Sequence, residues 1–167
     1  MENPVVVVAV DARGSENAIR QAGYVASWIG RLRADAYIVY ITDSRLVRSA
    51  SLADDEYFNV AERKKFITEG CIENGRNVVE RLKDIFKKYR IRCFEQVGVG
   101  DPVREASKIA RETNAVGVIP FGMPATKLIK KCPSPAVLIP EEDKRGFFAV
   151  MKDKIAVKFQ FYNILAR

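Results

Sequence analysis

The chain has 167 residues, of which 48% are hydrophobic, and a formal net charge of +7. This length and composition are typical of one globular domain with its own core, and they exclude a disordered chain. The sequence contains no histidine. Hydrolases with a histidine base, histidine-ligated zinc sites and histidine proton shuttles are therefore excluded.

The remaining composition predicts a cytoplasmic protein. The three cysteines are far apart and form no C-x-x-C pair, so neither a disulfide framework nor a metal site is predicted. No apolar run approaches the roughly 20 residues that a membrane span needs. The first residues lack a basic region followed by an apolar stretch, so we expect no signal peptide.

The basic charge suits an anionic partner, but its distribution does not favour nucleic acid. The densest patch falls where a helix should end, and cations are favoured there by the helix dipole. We therefore interpret this patch as a solvated helix terminus and predict no nucleic-acid partner. Its residues are Arg81, Lys83, Lys87, Lys88, Arg90 and Arg92.

The first part of the chain predicts two buried strands with a helix between them. Residues 5–10 form a β-branched run, uniform enough for a strand covered on both faces, and Asp11 ends it. Ser15 is the predicted N-cap of the first helix. Residues 36–41 form the second strand. The helix has an apolar stripe at a spacing of 3.6 residues, made by Ala18, Ala22, Val25, Ala26 and Ile29.

The middle of the chain predicts a long helix followed by an edge strand. Residues 45–65 are mixed and charged, which indicates a mobile connection or a short irregular helix. Residues 66–89 have strongly helical periodicity, and residues 91–97 alternate in part, as an edge strand does. Asp101 is a predicted N-cap and Pro102 the first residue of the next helix.

The pattern then closes with one more βαβ unit. The apolar run 116–121 stops at Gly122, a short basic helix is predicted over 125–131, and a second apolar run covers 136–139. The whole alternation predicts an α/β domain over residues 1–140, an open parallel sheet of five strands with helices on both faces.

Residues 141–167 have a different pattern. Two strand-like runs, 147–151 and 155–162, predict a β-hairpin extension. An isolated hairpin is marginal in water, so it must pack on the domain or on a second subunit. We favour the subunit contact slightly, because the predicted sheet is complete without the hairpin.

Up to residue 140 the sequence resembles the universal stress protein family. The matching pieces are the valine-rich strand ending in Asp11, the second strand ending at Ile41, Gly100-Asp101-Pro102, and the closing segment 116–139. The resemblance implies an adenine nucleotide alpha hydrolase-like sheet with strand order 3-2-1-4-5. It also implies a homodimer paired through the fifth strand, Ala136 to Ile139, and a role in stress response.

Many family members bind ATP or AMP at the carboxyl ends of strands 1 and 4. The resemblance assigns the adenosine contacts to Asp11 and Ile41, and the first glycine of the family's phosphate loop to Gly122. No other glycine of that loop precedes Cys132, and Pro124 supplies no backbone N–H. The sequence thus resembles members that lack the full ATP-binding glycine loop.

Our first hypothesis is a dimeric binding or regulatory domain with an unidentified protein partner. We predict no enzyme activity, because nothing in the sequence supplies an activated nucleophile with a base. A nucleotide hydrolase would need a metal-binding carboxylate beside a phosphate loop, and the sequence offers no such pair. No catalytic or metal-binding residue is predicted.

The alternative is a weak adenine-nucleotide sensor. Asp11 and Ile41 would contact the adenosine, and Arg13 or Lys127 would replace the lost loop at the phosphates, beside Gly122 and Met123. These six residues are the predicted nucleotide-binding set. Asp11, Gly122 and Lys127 also have structural interpretations, as a helix cap, a turn glycine and part of a solvated basic face. The two hypotheses differ in whether the crevice between strands 1 and 4 is open or is closed by Phe121 and Met123.

Overall fold

Strands and helices alternate along the chain as the apolar runs predict. The computed structural model describes residues 3–52 and 59–139, so the predicted hairpin and the whole of the 141–167 extension lie outside the described residues. The elements are β1 (Val5–Asp11), α1 (Ser15–Arg31), β2 (Asp35–Asp43), α2 (Ser44–Ser51), α3 (Val60–Lys88), β3 (Cys93–Gly100), α4 (Pro102–Glu112), β4 (Gly117–Phe121) and α5 (Ala125–Lys131).

The four strands of the described residues form one parallel sheet in the order β3-β2-β1-β4. The register pairs Asp11 with Ile41, Val10 with Phe121, and Asp43 with Gly100. Since all strands are parallel, their carboxyl ends meet along one edge of the sheet. The predicted α/β class and the first four positions of the strand order are confirmed.

Helices cover both faces of the sheet. Val7, Ala9, Val39 and Ile41 point to one face and belong to one buried cluster with residues of α4 and α5. On the opposite face α1 contacts β1, and α3 contacts β2 and β3. The predicted stripe of α1 is confirmed, since its buried residues are Ala18, Ala22, Val25, Ala26 and Ile29.

The predicted fifth strand is not formed in the described residues. Only Ala136 makes a parallel bridge, to Val118 of β4, with the Val118 amide donating to Pro135 and the Val137 amide donating to Val118. Pro133 and Pro135 precede the predicted strand and have no N–H group, so pairing can begin only at the carbonyl of Pro135. Ala136 to Ile139 do have N–H groups, so how far the pairing extends depends on how the segment lies beside β4.

The helix boundaries correct three further predictions. Ser15 is the first residue of α1 and not its N-cap, because a 3₁₀ turn over Ala12–Gly14 fills the junction and Gly14 takes the cap position. A regular helix, α2, occupies part of the segment predicted to be irregular. The long helix α3 begins at Val60, where Asn59 and Glu62 form a capping box.

Candidate functional site

The carboxyl ends of the strands bring three aspartates to the same edge of the sheet. Asp11 is the last residue of β1, Asp43 is the last residue of β2, and Asp101 directly follows β3. Each of them is the N-cap of the next helical segment, accepting backbone N–H groups from the residues that follow. This is the edge where ligands bind in open α/β sheets.

Asp11 is fully buried and both of its carboxylate oxygens are occupied. Oδ1 accepts the backbone N–H of Arg13 at 3.1 Å, and Oδ2 accepts Nη2 and Nε of the same arginine at 2.7 and 3.3 Å. The hydrogen bond to Asp11 raises the pKa of Arg13 above its ordinary value. Asp11 therefore caps the turn after β1 and forms an ion pair with Arg13.

Asp43 and Arg45 repeat this arrangement at the end of β2. Oδ1 of Asp43 accepts the backbone N–H of Arg45 at 2.9 Å, and Nη2 of Arg45 lies 2.6 Å from Oδ2. The hydrogen bond from Arg45 is the largest cause that lowers the pKa of Asp43, and burial opposes it. We call Asp11–Arg13 and Asp43–Arg45 the two Asp-Arg pairs.

The two Asp-Arg pairs leave their guanidinium groups at the surface. The side chains of Arg13 and Arg45 are 56% and 78% exposed, whereas their carboxylate partners are 0% and 6% exposed. The pKa of Arg45 is raised first by the hydrogen bond to Asp43, with smaller contributions from Asp101 and Asp11. The edge therefore presents two neighbouring cationic groups above buried carboxylates.

Asp101 is different from the other two aspartates. Its Oδ1 accepts the backbone N–H groups of Val103 and Arg104 at 3.0 and 3.1 Å, which confirms the predicted cap with Pro102 as the first helical residue. The residue is exposed. It contributes a negative charge at the rim of the edge.

The point between β1 and β4, where the strand order reverses, is closed by backbone contact. A methyl group added to Gly14 would lie 2.2 Å from the carbonyl carbon of Phe121 and 2.4 Å from the nitrogen of Gly122. Gly122 has a φ of +81°, and a methyl group there would lie 2.4 Å from the nitrogen of Gly14. Only two glycines allow the two loops to approach this closely.

The side chains beside this contact point into the protein. Phe121 and Met123 are 3% and 8% exposed, and Met123 belongs to the buried cluster below α4 and α5. Lys127 is exposed on α5, a short helix of seven residues. The crevice between strands 1 and 4 is therefore closed, by the glycine contact as well as by Phe121 and Met123.

The structure thus brings some of the predicted residues together and separates others. Asp11 and Ile41 are register partners, Arg13 pairs with Asp11, and Gly122 contacts the turn that follows. Met123 is a core residue in this arrangement. None of the six residues is assigned a ligand by these contacts, so their nucleotide-binding role stays a prediction.

Sequence reasoning missed Asp43, Arg45 and the part played by Gly14. The repeated pattern was visible, because Asp-x-Arg follows both β1 and β2 in the sequence. The contact between Gly14 and Gly122 had no such signal, since the two residues are distant in the chain and meet only through the register of β1 with β4.

Comparison with known proteins gives a match only at the level of structure. No protein family model matches the chain, and no curated protein is significantly similar to it. A member of the universal stress protein family from Burkholderia pseudomallei matches with a TM-score of 0.60 and 14% identity, over 81% of this chain and 96% of its own.

Two further structures match in the same way. The universal stress protein UspA from Lactobacillus plantarum has a TM-score of 0.60 and 10% identity, over 84% of this chain and 99% of its own. A universal stress protein family protein from Arabidopsis thaliana with AMP bound has a TM-score of 0.55 and 12% identity, over 84% of this chain and 94% of its own. The part of the chain that the structure describes has the universal stress protein fold.

Proposed function

We propose that the protein is a universal stress protein-like binding domain, dimeric and cytoplasmic, which regulates a partner in a stress response. No helix among residues 3–52 and 59–139 is long and apolar enough to cross a membrane. The observation on which the proposal rests is the closed point between β1 and β4. In open α/β sheets the ligand enters at this point, so its closure favours binding of a partner at the surface over binding of a nucleotide inside.

The contact of Gly14 with Gly122 opposes the binding of a nucleotide between β1 and β4. A nucleotide between β1 and β4 would have to separate two backbone segments that are in direct contact. It would also have to displace Met123 from the buried cluster. Both changes cost free energy, because close-packed interiors do not yield without loss of contacts.

The aspartates at the carboxyl edge already have hydrogen-bond partners, which opposes a catalytic role. Asp11 and Asp43 are both paired with arginines and capping backbone N–H groups, and Asp101 accepts two backbone N–H groups. A catalytic base or metal ligand would have to give up such partners. We therefore propose that the protein does not catalyse nucleotide hydrolysis.

The second candidate, a weak adenine-nucleotide sensor, is favoured by a specific observation. Arg13 and Arg45 both present exposed guanidinium groups at the edge where open α/β sheets bind ligands, and guanidinium groups suit phosphates. The Arabidopsis thaliana protein with the same fold contains AMP. In this candidate AMP would lie across the two Asp-Arg pairs, outside the closed crevice.

A thermal-shift titration with AMP, ADP and ATP in the presence of magnesium separates the two candidates. A ligand that binds only the folded protein raises the unfolding midpoint in a concentration-dependent way. We expect no shift at millimolar nucleotide for the binding domain. A shift that disappears in Arg13→Gln/Arg45→Gln, and persists in the surface control Arg20→Gln, would establish the sensor instead.

Turnover tests the absence of catalysis directly. We expect release of phosphate from ATP to stay at the background rate of the buffer. Release above background that is lost in Asp11→Asn would contradict the proposal. Asparagine keeps the cap in that variant.

A further inference from the structure

A cavity lies at the opposite, amino-terminal edge of the sheet. Its volume is about 580 Å³, within the range of small-molecule sites. The end of α1 with the loop that follows it, the first residue of β2 and the connection between α3 and β3 form its wall. The lining includes Arg33, Arg90 and Arg92 together with Asp35, Tyr89 and Asn3.

Asp35, the one carboxylate among the described residues that line this wall, already has partners. Asp35 is 2% exposed, and its Oδ2 accepts Nε of Arg92 at 2.9 Å and also Nη2 of the same guanidinium. Its Oδ1 accepts the Asn3 amide at 3.1 Å. The guanidinium of Arg92 lies 5.1 Å from the centre of the Phe94 ring. Arg92 is therefore compensated and fixed in place.

Arg33 and Arg90 have no such partner. Neither side chain forms a hydrogen bond or an ion pair within residues 3–52 and 59–139, and both are exposed at the cavity. Within the described part of the chain, the cavity thus has two guanidinium groups without an anionic partner, around a space large enough for a small molecule.

The backbone of both arginines is unusual. Arg33 has a φ of 50° and Arg90 a φ of 59°, in the left-handed region that favours glycine. Both follow a helix that ends in a Schellman motif. The amides of Ala34 and Ile91 donate to Ile29 and Phe86, five residues back, at 3.2 and 3.3 Å.

The helix dipole favours a cation near these positions, but it gives no reason for an arginine at a left-handed residue. Cations are favoured in the last turn of a helix, and Arg31, Lys87 and Lys88 already occupy those turns. The helix α4 ends in the same motif with Asn114 at the left-handed position, a residue that tolerates it better than arginine does. Both unfavourable arginines flank the one cavity described above.

We propose that this cavity binds a small phosphomonoester, with Arg33 and Arg90 supplying the guanidinium groups for its phosphate. Two guanidinium groups match the charge of a phosphate dianion, and forked N–H donors suit its oxygens. The cavity is larger than a free phosphate requires, and the partly exposed ring of Tyr89 offers a surface for the rest of the ester. This site is separate from the carboxyl edge and does not depend on the proposed function.

The test is calorimetric titration of the full chain with phenyl phosphate and with inorganic phosphate, in a phosphate-free buffer of low salt. We expect saturable binding of phenyl phosphate. We expect Arg33→Gly/Arg90→Gly to weaken it at least about tenfold, since charged hydrogen bonds are lost. Glycine suits the left-handed backbone, so this double variant should fold with an unfolding midpoint at or above that of the original chain.

Two control variants make the result specific. Asn114→Gly changes the same backbone position on α4, and Arg20→Gln/Arg76→Gln removes two exposed charges that do not line the cavity. Both should bind phenyl phosphate as the original chain does. Equal affinity for inorganic phosphate would support the site and name free phosphate as its ligand. No saturable binding at millimolar phenyl phosphate, or equal weakening by the two control variants, would overturn the proposal.

Discussion

Each Asp-Arg pair combines two local interactions in three residues. The aspartate ends a strand and caps the turn or helix that follows, while the arginine two positions later neutralises it. Capping needs a side-chain oxygen close to free N–H groups, and at Asp11 and Asp43 this oxygen belongs to a buried carboxylate, which is costly unless it is paired. Arginine at this spacing supplies the pairing from the surface.

The pair at the end of β2 predicts a pH dependence of stability. Arg45 lowers the pKa of Asp43 below the value of about 3.9 that it has in an unfolded chain. The unfolded state then binds more protons in acid. The stabilisation is therefore present above about pH 4 and lost as the pH falls through the folded-state pKa.

Asp43→Asn isolates this contribution, because asparagine keeps the cap and removes the charge. We expect the free energy of unfolding to fall by at most about 1 kcal/mol at neutral pH, since Arg45 is 78% exposed and solvent screens the pair. Urea unfolding should show that the variant and the original chain differ in free energy of unfolding at pH 7. This difference should fall to zero as the pH is lowered through the folded-state pKa of Asp43. An exposed pair, tested by Glu112→Gln, should give almost no difference at any pH. A loss that is equally large in acid would contradict the electrostatic account.

We predict that the thiol of Cys93 is unreactive in the folded protein. Burial is the main cause that raises the pKa of Cys93 to about 11, and the nearby Lys83 opposes it. The thiolate is the reactive form, so alkylation of Cys93 by iodoacetamide at neutral pH should be slow. Peptide mass spectrometry would measure it, with the urea-unfolded chain as the fast control. Equal rates in the folded and unfolded chain would disprove the prediction.

At the scale of elements, the closed carboxyl edge depends on the two glycines that join the loops after β1 and β4. Gly14→Ala would place a methyl group 2.2 Å from the backbone of Phe121, so a backbone segment has to move. We expect a loss of about 2 kcal/mol or more in the free energy of unfolding, as overpacking costs. Denaturant unfolding of the purified variant would measure the loss.

Gly70→Ala is the matched control for this substitution. A methyl group at Gly70 would meet no atom within 4 Å, and the residue lies inside α3. Alanine is the better helix former, so this variant should gain about 0.5–1 kcal/mol. If Gly14→Ala were as stable as the original chain, the two loops would not be in contact in solution.

At the scale of the whole molecule, the proposed dimer can be tested by its mass in solution. Light scattering should give a mass of twice 18.8 kDa, the mass of one chain. Deletion of residues 146–167 should change that mass or the solubility. The reason is that the apolar runs of the extension need a surface on which to pack. An unchanged mass after the deletion would show that the extension is not part of the interface.

The segment predicted to pair the subunits can be tested separately. Leu138 and Ile139 are both half-buried, so Leu138→Asp/Ile139→Asp places charges in the proposed interface without emptying the core. We expect a mass of one chain. Phe94→Asp alters the opposite edge of the sheet, on β3, and should leave the mass unchanged. A dimer that survives the first variant would place the interface elsewhere.

Much of the fold follows from local sequence signals. The uniform run after Pro4 specifies a covered strand, the spacing from Ala18 to Ile29 specifies the buried stripe of α1, and Asp101 with Pro102 specifies the start of α4. These signals act within one turn or one strand, so periodicity and capping chemistry are sufficient to predict them.

Other features depend on residues that meet only when the sheet forms. The loss of the fifth strand, the contact of Gly14 with Gly122 and the cavity beside Arg33 and Arg90 all depend on register and close approach. The sequence by itself determined four strands, the helices between them and the positions of Asp11 and Asp101 at strand ends, because these arise from local propensity and parallel alternation. Only the tertiary structure decided that the crevice is closed and that two arginines share a cavity, because those facts depend on distances between segments remote in the chain.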